Sequence, residues 1–304
     1  MGIRNSPLRN CLFITDFELE KVALIIVTFN RLDTLKMNLE HIRKQSRKPD
    51  NVLIVENGSN DGTLEYLTNQ SEFDFLPMGQ NIGWSGGLDI GMREANRKWG
   101  VDFFWLMDDD SFPSPMVLES LLNASRSISE NAIIGLEGYI FKKGIPRRQE
   151  ANDGLIPVDF VLVDNALVPK KLMEVVGTPD PDYFIMAEDY EYCQRAKRNG
   201  FQVFLLCTKE KLVNRLHLGS QASSKSLIWR GYYQSRNHIF VLRDQFSWKR
   251  LMGYINRQLR FIIHAMIFGK TPVQTVKYRL MGIWDGIINK RGKTIDPLTL
   301  KRIF

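Results

Sequence analysis

The 304-residue chain is poor in cysteine and has no long apolar run, and both shortages exclude classes of protein. Its three cysteines, Cys11, Cys193 and Cys207, are too widely spaced for a zinc knuckle or a disulfide framework, so a reducing compartment is the simpler expectation. No stretch approaches the roughly 18 apolar residues of a membrane-spanning helix, and the N-terminus lacks a signal-peptide core. The remaining composition, 44% hydrophobic and 25% charged, is that of a globular protein with one large domain or two.

Acidic residues are scarce near the C-terminal end of the chain. Residues 225–304 contain 16 Lys and Arg but three acids, Asp244, Asp285 and Asp296, so their net charge is +13. Residues 1–224 contain 25 basic and 31 acidic residues, a net charge of −6. Such a basic region predicts an anionic partner, namely a membrane surface, a nucleic acid or a phosphorylated substrate.

Apolar runs that alternate with helical patterns predict an α/β fold. Val22–Phe29, Val52–Val55, Val101–Met107 and Ile133–Leu136 are continuous apolar segments typical of buried parallel strands. Helical periodicity separates them, which favours a doubly wound sheet. Residues 141–160, with several glycines, prolines and basic residues, are predicted to form a loop-rich excursion.

The predicted division of the chain falls near a serine-rich stretch at residues 220–226. We expect a catalytic domain over 1–224 and a basic, aromatic-rich helical region over 225–304. Within the second part, Trp248–Phe268 has the pattern of an amphipathic helix. Its predicted faces place basic residues beside apolar ones, the former being Lys249, Arg250, Arg257 and Arg260 and the latter Leu251, Ile255, Leu259 and Ile263.

Three adjacent carboxylates, Asp108–Asp110, follow the apolar strand that ends at Met107. Neighbouring carboxylates repel one another, and a divalent cation with oxygen ligands would offset that repulsion. In open α/β sheets, ligands bind at the carboxyl ends of the strands, where such a metal would bridge the phosphates of a nucleotide. The alternative is a solvated acidic turn.

Three weaker signals accompany the aspartates. Glu188 and Asp189 lie among aromatic residues, a setting that tunes a general base, although both could simply open a helix. His217 could be a further metal ligand or a structural histidine. The glycine-rich segment Asn81–Gly87 is predicted to be a loop that lets backbone approach a ligand, but it lacks the G-x-G-x-x-G spacing of a dinucleotide site.

The order of these segments carries more information than any one of them. From Val22 to Arg243 the chain contains VTFNR, VENGSNDGT, NIGWSGG, WLMDDD, AEDYEYCQRAKRNG and LHLGS. This ordered set resembles the family 2 glycosyltransferases with a GT-A fold, which is Rossmann-like, with a mostly parallel central sheet flanked by helices. The WLMDDD and NIGWSGG forms resemble its bacterial galactofuranosyltransferase and rhamnosyltransferase branch.

The resemblance implies an inverting, metal-dependent transfer from a nucleotide-sugar donor to a glycan acceptor, lipid-linked, in cell-surface polysaccharide biosynthesis. It implies Mn2+ or Mg2+ at the D-x-D motif, with UDP-galactofuranose as the first choice of donor and dTDP-rhamnose as the second. Asp189 matches the catalytic base, in a pair with Glu188. The implied metal ligands are Asp108, Asp110 and His217, and the implied donor contacts are Thr28, Asn30, Arg31, Glu56, Asn81, Trp84, Gly86, Gly87, Asp108 and Asp109.

Other classes remain as alternatives at this stage. A phosphatase of the D-x-D type and a nucleotidyltransferase also place paired aspartates after a strand. A nucleic-acid-binding module would account for the basic region, and so would a scaffold protein. For the glycosyltransferase, we expect a cytoplasmic protein that contacts the inner face of the plasma membrane through the basic region, with a subunit interface of a homo-oligomer as the alternative.

Overall fold

The computed structural model describes residues 20–128, 131–142, 144–216 and 224–303, with the backbone alone at 224–226. Thirteen strands are described in these ranges. They are β1 Val22–Thr28, β2 Asn51–Glu56, β3 Asp74–Pro77, β4 Phe103–Asp108, β5 Ser111–Pro113, β6 Ala132–Gly135, β7 Gly138–Lys142, β8 Ile145–Arg148, β9 Gly154–Pro157, β10 Phe160–Val161, β11 Ala166–Pro169, β12 Gln202–Cys207 and β13 Val213–Arg215.

Helices connect these strands and then form the C-terminal part of the chain. In the same ranges they are α1 Leu32–Arg43, α2 Thr63–Thr68, α3 Gly83–Trp99, α4 Val117–Arg126, α5 Lys170–Val176, α6 Glu188–Arg198, α7 Ser224–Asp244, α8 Trp248–Phe268 and α9 Pro272–Ile287, with a short 3-10 turn at Pro181–Tyr183.

An eight-stranded sheet forms the centre of the molecule, in the order β3-β2-β1-β4-β11-β6-β12-β9. Strands β1 to β4 pair in parallel, as do β6 and β12, whereas β11 and β9 run antiparallel to their neighbours. All seven residues of β1 are buried, because helices cover both faces of the sheet. The predicted mostly parallel α/β architecture is therefore confirmed.

Alternation along β1 divides its side chains between two cores. Ala23, Ile25 and Val27 contribute to the core under α3 and α6, whereas the residues between them contribute to the core under α1 and α4. Successive side chains of a strand point to opposite faces, so a strand covered on both sides must be apolar throughout. The continuous apolar run in the sequence is the result.

The prediction of a loop-rich excursion at 141–160 was wrong. Strands β7 and β8 form an antiparallel hairpin that continues from β10, and β9 pairs with β12 at the edge of the main sheet. The prolines and charges that suggested a loop lie on edge strands, Pro146 and Arg147 in β8 and Pro157 in β9. Proline and charged residues are tolerated there because an edge strand has one unpaired side.

The segment Asn81–Gly87, predicted to be a loop, is largely helical, since α3 already begins at Gly83. A Cβ on Gly87 would lie 2.6 Å from a methyl of Val27, and a Cβ on Gly91 would lie 2.6 Å from a methyl of Ile25. These glycines therefore allow the first turns of α3 to lie directly on β1. The segment contributes to packing between helix and strand as well as to the cavity described below.

Helices α7, α8 and α9 follow the sheet, and α8 has the bounds of the predicted amphipathic segment. Arg257 is 7% exposed, whereas Ile255, Leu259 and Ile263 are exposed at 39%, 53% and 56%. The apolar side of α8 thus faces outward. None of the described helices is long and apolar enough to cross a bilayer. The division of the chain at residue 224 stays a prediction.

Candidate active site

A cavity of about 540 Å³ opens at the carboxyl ends of β1 and β4. Thr28 ends β1 and Asp108 ends β4, so the two parallel strands deliver these residues to the same edge of the sheet. The segment before α6, the first turn of α6 and the start of α7 form the remaining walls. This is the position at which open α/β sheets bind ligands.

The three aspartates lie together at this edge. One carboxylate oxygen from each of Asp108, Asp109 and Asp110 can be chosen so that all three lie within 4.8 Å of one another. Asp109 is 1% exposed and accepts hydrogen bonds from Thr28 Oγ1 at 2.8 Å and from Arg31 Nη1 at 2.6 Å. The predicted cluster therefore exists in the fold, held in place from β1.

Two arginines and a fourth aspartate complete the cluster. Arg31 Nη1 lies 3.7 Å from Asp108 and 3.6 Å from Asp110. Arg215 lies 3.2 Å from Asp108, 3.4 Å from Asp110 and 3.3 Å from Asp164. Asp164 also accepts hydrogen bonds from the backbone N–H of Asp108 at 2.7 Å and from Ser111 Oγ at 2.6 Å. Sequence reasoning missed Asp164 and Arg215, and for Arg215 the signal was its place two residues before His217.

Charge in this cluster is unbalanced in the acidic direction. Burial, followed by repulsion from Asp110, raises the pKa of Asp108, and burial and Asp108 raise the pKa of Asp109 to about 7. Burial likewise raises the pKa of Asp164. Four carboxylates face the two guanidinium groups of Arg31 and Arg215, which leaves a formal charge of −2. An all-oxygen donor set with that excess fits a divalent cation of the Mg2+ or Mn2+ type. His217, the other predicted ligand, lies outside the described residues.

Glu188 and Asp189 lie in the first turn of α6 and line the same cavity. Asp189 Oδ1 accepts a hydrogen bond from the backbone N–H of Val163 at 3.0 Å, which fixes the orientation of the carboxylate. Burial raises the pKa of Asp189 to about 6. Glu188 is 4% exposed, its Oε2 has no hydrogen-bond partner among the described residues, and burial and Asp189 raise its pKa well above the usual range.

The segment that precedes α6 has an unusual backbone conformation. Phe184, Met186 and Ala187 have φ angles of 63°, 73° and 70°, a left-handed conformation that costs free energy in any residue with a side chain. The side-chain amide of Asn237 donates to the carbonyls of Tyr183, Ile185 and Met186 at 2.9, 2.9 and 2.7 Å. These bonds from α7 hold the strained segment that ends at the Glu188–Asp189 pair.

Two neighbours support the same segment. The Arg236 guanidinium donates to the carbonyls of Asp182 and Tyr183, both at 3.2 Å. Gly83 approaches from the other side, where an added Cβ would lie 2.2 Å from the carbonyl oxygen of Phe184. Arg236 is fully buried and is not among the residues that line the cavity, so it acts on the wall rather than in the cavity.

The structure brings most of the predicted donor contacts to this cavity. Thr28, Arg31, Asn81, Trp84, Asp108 and Asp109 line it, as do Glu188 and Asp189, and Asp110 lies beside it in the acidic cluster.

The other predicted donor contacts do not line the cavity. Glu56 is buried and accepts a hydrogen bond from the N–H of Ser59 at 2.5 Å. Asn30 accepts one from the N–H of Asn60 at 2.7 Å. Gly86 and Gly87 lie within α3, where Gly87 faces Val27. Their assignment to donor binding stays a prediction.

Helix α7 contributes residues that the sequence did not indicate. Trp229 and Arg230 line the cavity, and the Arg230 guanidinium lies 4.6 Å from the centre of the Trp229 ring. Arg230 Nε has no hydrogen-bond partner among the described residues, and burial lowers the pKa of the guanidinium. A half-buried guanidinium in the cavity wall, with an N–H unpaired in the described part of the chain, is suited to an anionic ligand. The WR pair in the sequence was a possible signal, but helical periodicity alone does not show which face turns inward.

Comparison with known proteins identifies the family. The sequence profile described as glycosyl transferase family 2 matches residues 23–179, more than half of the chain. The chain belongs to glycosyl transferase family 2. It is therefore a glycosyltransferase, and the predicted enzyme class is confirmed. The phosphatase, nucleotidyltransferase, nucleic-acid-binding and scaffold alternatives are set aside.

Individual relatives agree with this family. Galactofuranosyltransferase GlfT1 of Mycolicibacterium smegmatis is 28% identical over 202 residues, which are 60% of this chain and 67% of that protein. The chain thus matches about two thirds of the length of GlfT1. The dTDP-rhamnosyl transferase RfbF of Shigella flexneri is 22% identical over 293 residues, which are 88% of this chain and 95% of that protein.

Solved structures show the fold. The mannosyltransferase PcManGT of Pyrobaculum calidifontis, solved with GDP-Man and Mn2+, has a TM-score of 0.57 at 13% identity and covers 89% of this chain and 88% of its own. TarS of S. aureus has a TM-score of 0.51 at 15% identity, over 89% of this chain and 92% of its own. The predicted GT-A fold, with helices at its C-terminal end, is confirmed.

Proposed function

We propose that this glycosyltransferase moves galactofuranose from UDP-galactofuranose to a hydroxyl of a glycan acceptor, with inversion at the anomeric carbon, in cell-surface polysaccharide biosynthesis. The observation that carries the proposal is one cavity that combines the Asp108–Asp110 cluster with the Glu188–Asp189 pair on another wall. Similarity to GlfT1 favours galactofuranose as the sugar. Similarity to RfbF over most of the chain supports dTDP-rhamnose as the second candidate donor.

Asp189 is the proposed general base. Its carboxylate accepts the proton of the acceptor hydroxyl as that oxygen attacks the anomeric carbon from the face opposite the nucleotide. A pKa of about 6 suits this role, because the group is ionised at neutral pH and still basic enough to accept a proton. Glu188 lines the same cavity, and its Oε2 has no hydrogen-bond partner among the described residues, so it is proposed to form a hydrogen bond with the donor sugar.

The acidic cluster and the arginines near it are proposed to bind the nucleoside diphosphate. Asp108, Asp110 and His217 would hold a divalent cation, Mn2+ or Mg2+, which supplies charge stabilisation for the leaving diphosphate when bound. Arg230 is proposed to contact the same diphosphate, since it lines the cavity and its buried Nε has no hydrogen-bond partner among the described residues. Trp84, at the start of α3, is available to stack on the sugar.

A panel of nucleotide sugars tests this function directly. Purified protein would be incubated with manganese and, separately, UDP-galactofuranose, UDP-galactopyranose and dTDP-rhamnose, and release of the nucleoside diphosphate would be measured. We expect UDP-galactofuranose to be turned over fastest, and turnover of dTDP-rhamnose instead would select the second candidate. If no nucleotide sugar is hydrolysed or bound, the assignment of the cavity to donor binding is refuted.

The acceptor is proposed to be lipid-linked and to be reached at the cytoplasmic face of an anionic plasma membrane. Helices α8 and α9 expose large apolar side chains, among them Trp248 at 72%, Phe268 at 71% and Trp284 at 60%. Exposed lysines and arginines such as Lys249 and Arg260 flank them. Exposed aromatic residues accompanied by exposed basic ones are typical of interfacial helices.

Liposome flotation at low salt tests this surface. We expect binding to vesicles that contain phosphatidylglycerol, weakened by the double substitution Trp248→Ser and Trp284→Ser. Binding should also fall at high salt, because anionic lipids attract basic residues through a screened field. If the folded protein does not bind these vesicles and instead dimerises through α8 and α9, the apolar surface is an interface with a second copy of the chain.

A further inference from the structure

A second cavity of about 270 Å³ lies between α6, the turn of the β7–β8 hairpin, and helices α7 and α8. No residue that lines it also lines the catalytic cavity, although Tyr190 follows Asp189 directly in α6. The hairpin turn meets α8 at two glycines, because a Cβ on Gly144 would lie 2.1 Å from the Cα of Gly253. This close approach closes one side of the cavity and fixes α8 against the hairpin.

Arg257 lines this cavity and has an unsatisfied guanidinium. It is 7% exposed, its Nε has no hydrogen-bond partner, and no carboxylate lies within ion-pair distance of it among the described residues. Arg279 on the neighbouring helix α9 is just as buried but donates to Gln258 and Gln234 at 2.8 and 3.0 Å. The ring of Tyr254, whose centre lies 5.9 Å from the Arg257 guanidinium, does not accept the Nε hydrogen bond. A buried charge without an ion-pair partner is costly, so Arg257 calls for an anionic ligand.

The lining of the cavity is cationic. Lys249, Arg250 and Arg257 contribute three positive charges, and Asp159 contributes one negative charge. Asp159 accepts a hydrogen bond from the N–H of Phe141 at 2.7 Å, and its carboxylate lies 3.7 Å from Lys197. Its negative charge therefore already has partners outside the three basic residues of the cavity. The excess charge favours an anionic occupant.

The first turn of α8 adds to this preference. Ser247 caps the helix by accepting a hydrogen bond from the N–H of Arg250, and Ser247, Lys249 and Arg250 all line the cavity. The first turn contains no acidic residue. N–H groups at a helix N-terminus lack intrahelical acceptors and carry partial positive charge, so they bind anions, phosphate above all.

We propose that this cavity binds a phosphate group, which Arg257 contacts from the interior and Lys249, Arg250 and the first turn of α8 contact from the rim. The proposal goes beyond the transfer reaction and does not rest on it. Phe246 and Trp248, exposed at 59% and 72%, flank Ser247 at the rim, with their rings 5.5 Å apart. The phosphate can belong to a lipid headgroup beside these aromatic residues or to a soluble phosphate compound.

Thermal unfolding in metal-free buffer tests the site with inorganic phosphate as the probe, against chloride at equal ionic strength. Phosphate at about five times its Kd is expected to raise the Tm of the wild-type protein by about 2 °C. Arg257→Met should abolish that rise, while its own Tm without phosphate should be equal to or above that of the wild type. Arg260→Gln is the matched control, because it removes one charge from the exposed side of α8 and should keep the rise.

Vesicles distinguish the two sources of phosphate. If flotation on phosphatidic acid vesicles falls at least about tenfold further in Arg257→Met than in Arg260→Gln, which removes one charge from the exposed basic surface, the phosphate belongs to a lipid headgroup. If the variant keeps vesicle binding but loses the phosphate-induced rise in Tm, the ligand is soluble. Should Arg257→Met fail to fold, the double variant Lys249→Gln, Arg250→Gln at the rim is expected to lose the same rise. A rise that persists in the variants, or that is absent from the wild-type protein, overturns the proposal.

Discussion

Asn237→Ala is the substitution that best separates the positioning of the active site from the stability of the fold. The side chain lies on α7, is fully buried and donates to three carbonyls of the segment that ends at Glu188. Its removal changes neither of the proposed catalytic carboxylates, Glu188 and Asp189, but releases the backbone segment that orients them. We therefore expect a loss of turnover without a matching loss of stability.

The expected change in the free energy of unfolding is the difference between two opposing contributions. The Asn237 amide N–H groups donate to three carbonyls, and its Oδ1 accepts a hydrogen bond from Arg236 Nε at 2.8 Å, so the substitution removes about 3–4 kcal/mol of hydrogen bonding at about 1 kcal/mol for each bond. Relaxation of Phe184, Met186 and Ala187 from the left-handed region returns about 1 kcal/mol for each residue. The two terms nearly cancel, so the free energy of unfolding should change by about 1 kcal/mol or less.

Turnover has no such compensation. A displacement of about 1 Å in a catalytic group costs about 100-fold in rate, and a relaxed segment would displace Asp189 by at least that much. Steady-state transfer from the nucleotide sugar, together with thermal unfolding, measures both quantities. We expect kcat to fall about 100-fold with a Tm shift of about 4 °C or less. Asn152→Ala, at an exposed asparagine, should change neither. An unchanged kcat would refute the reasoning, and so would a large drop in Tm with kcat preserved.

The remaining predictions concern the cavity itself. Asp189→Asn should keep nucleotide binding but lower the rate of transfer about 10²–10⁴-fold. In the wild-type enzyme, kcat/KM should fall about tenfold per pH unit below pH 6, because the proposed base must be ionised and its pKa is raised to about 6. A pH profile that stays flat down to pH 4 would contradict that role. Asp110→Ala should abolish the manganese dependence of UDP binding in calorimetry, and unchanged metal-dependent affinity would count against the metal assignment. Gly83→Ala should lower kcat and Tm because its Cβ meets the Phe184 carbonyl, whereas Gly79→Ala, also at positive φ but with open space, should cost less on both measures.

The framework of the fold was predictable because burial on both sheet faces leaves a simple pattern. The run from Val22 to Val27 is apolar since each residue enters one of the two cores. The β7–β8 hairpin and β9 carry no such pattern. Their outer sides face solvent, so Pro146 and Arg147 are compatible with a strand there, and neither residue distinguishes an edge strand from a loop.

The acidic half of the site was predictable for a similar reason. Ligands bind at the carboxyl ends of strands in open α/β sheets, so the aspartates at the end of β4 were expected at the edge that binds a ligand. The partners of that cluster were not predictable. Arg215 and Asp164 lie far from Asp108 in the sequence, and no local sequence pattern indicates that they contact it. The strained segment before α6 depends in the same way on Asn237, more than fifty residues later.

Net charge alone does not show where the basic residues of the C-terminal region face, and Arg230→Met tests one of them. Arg230 faces the acidic cavity, Arg257 faces the second cavity, and Arg260 is exposed, although all three add equally to the +13 of residues 225–304. Because Arg230 is half-buried and its buried Nε has no hydrogen-bond partner among the described residues, its loss should leave Tm unchanged or raised while weakening donor affinity about tenfold or more. Arg260→Gln removes the same charge from the outer face and should leave donor affinity as it is. If the two substitutions change the KM for the donor equally, overall charge governs binding. If donor affinity falls only in Arg230→Met, Arg230 acts from the wall that α7 contributes to the cavity.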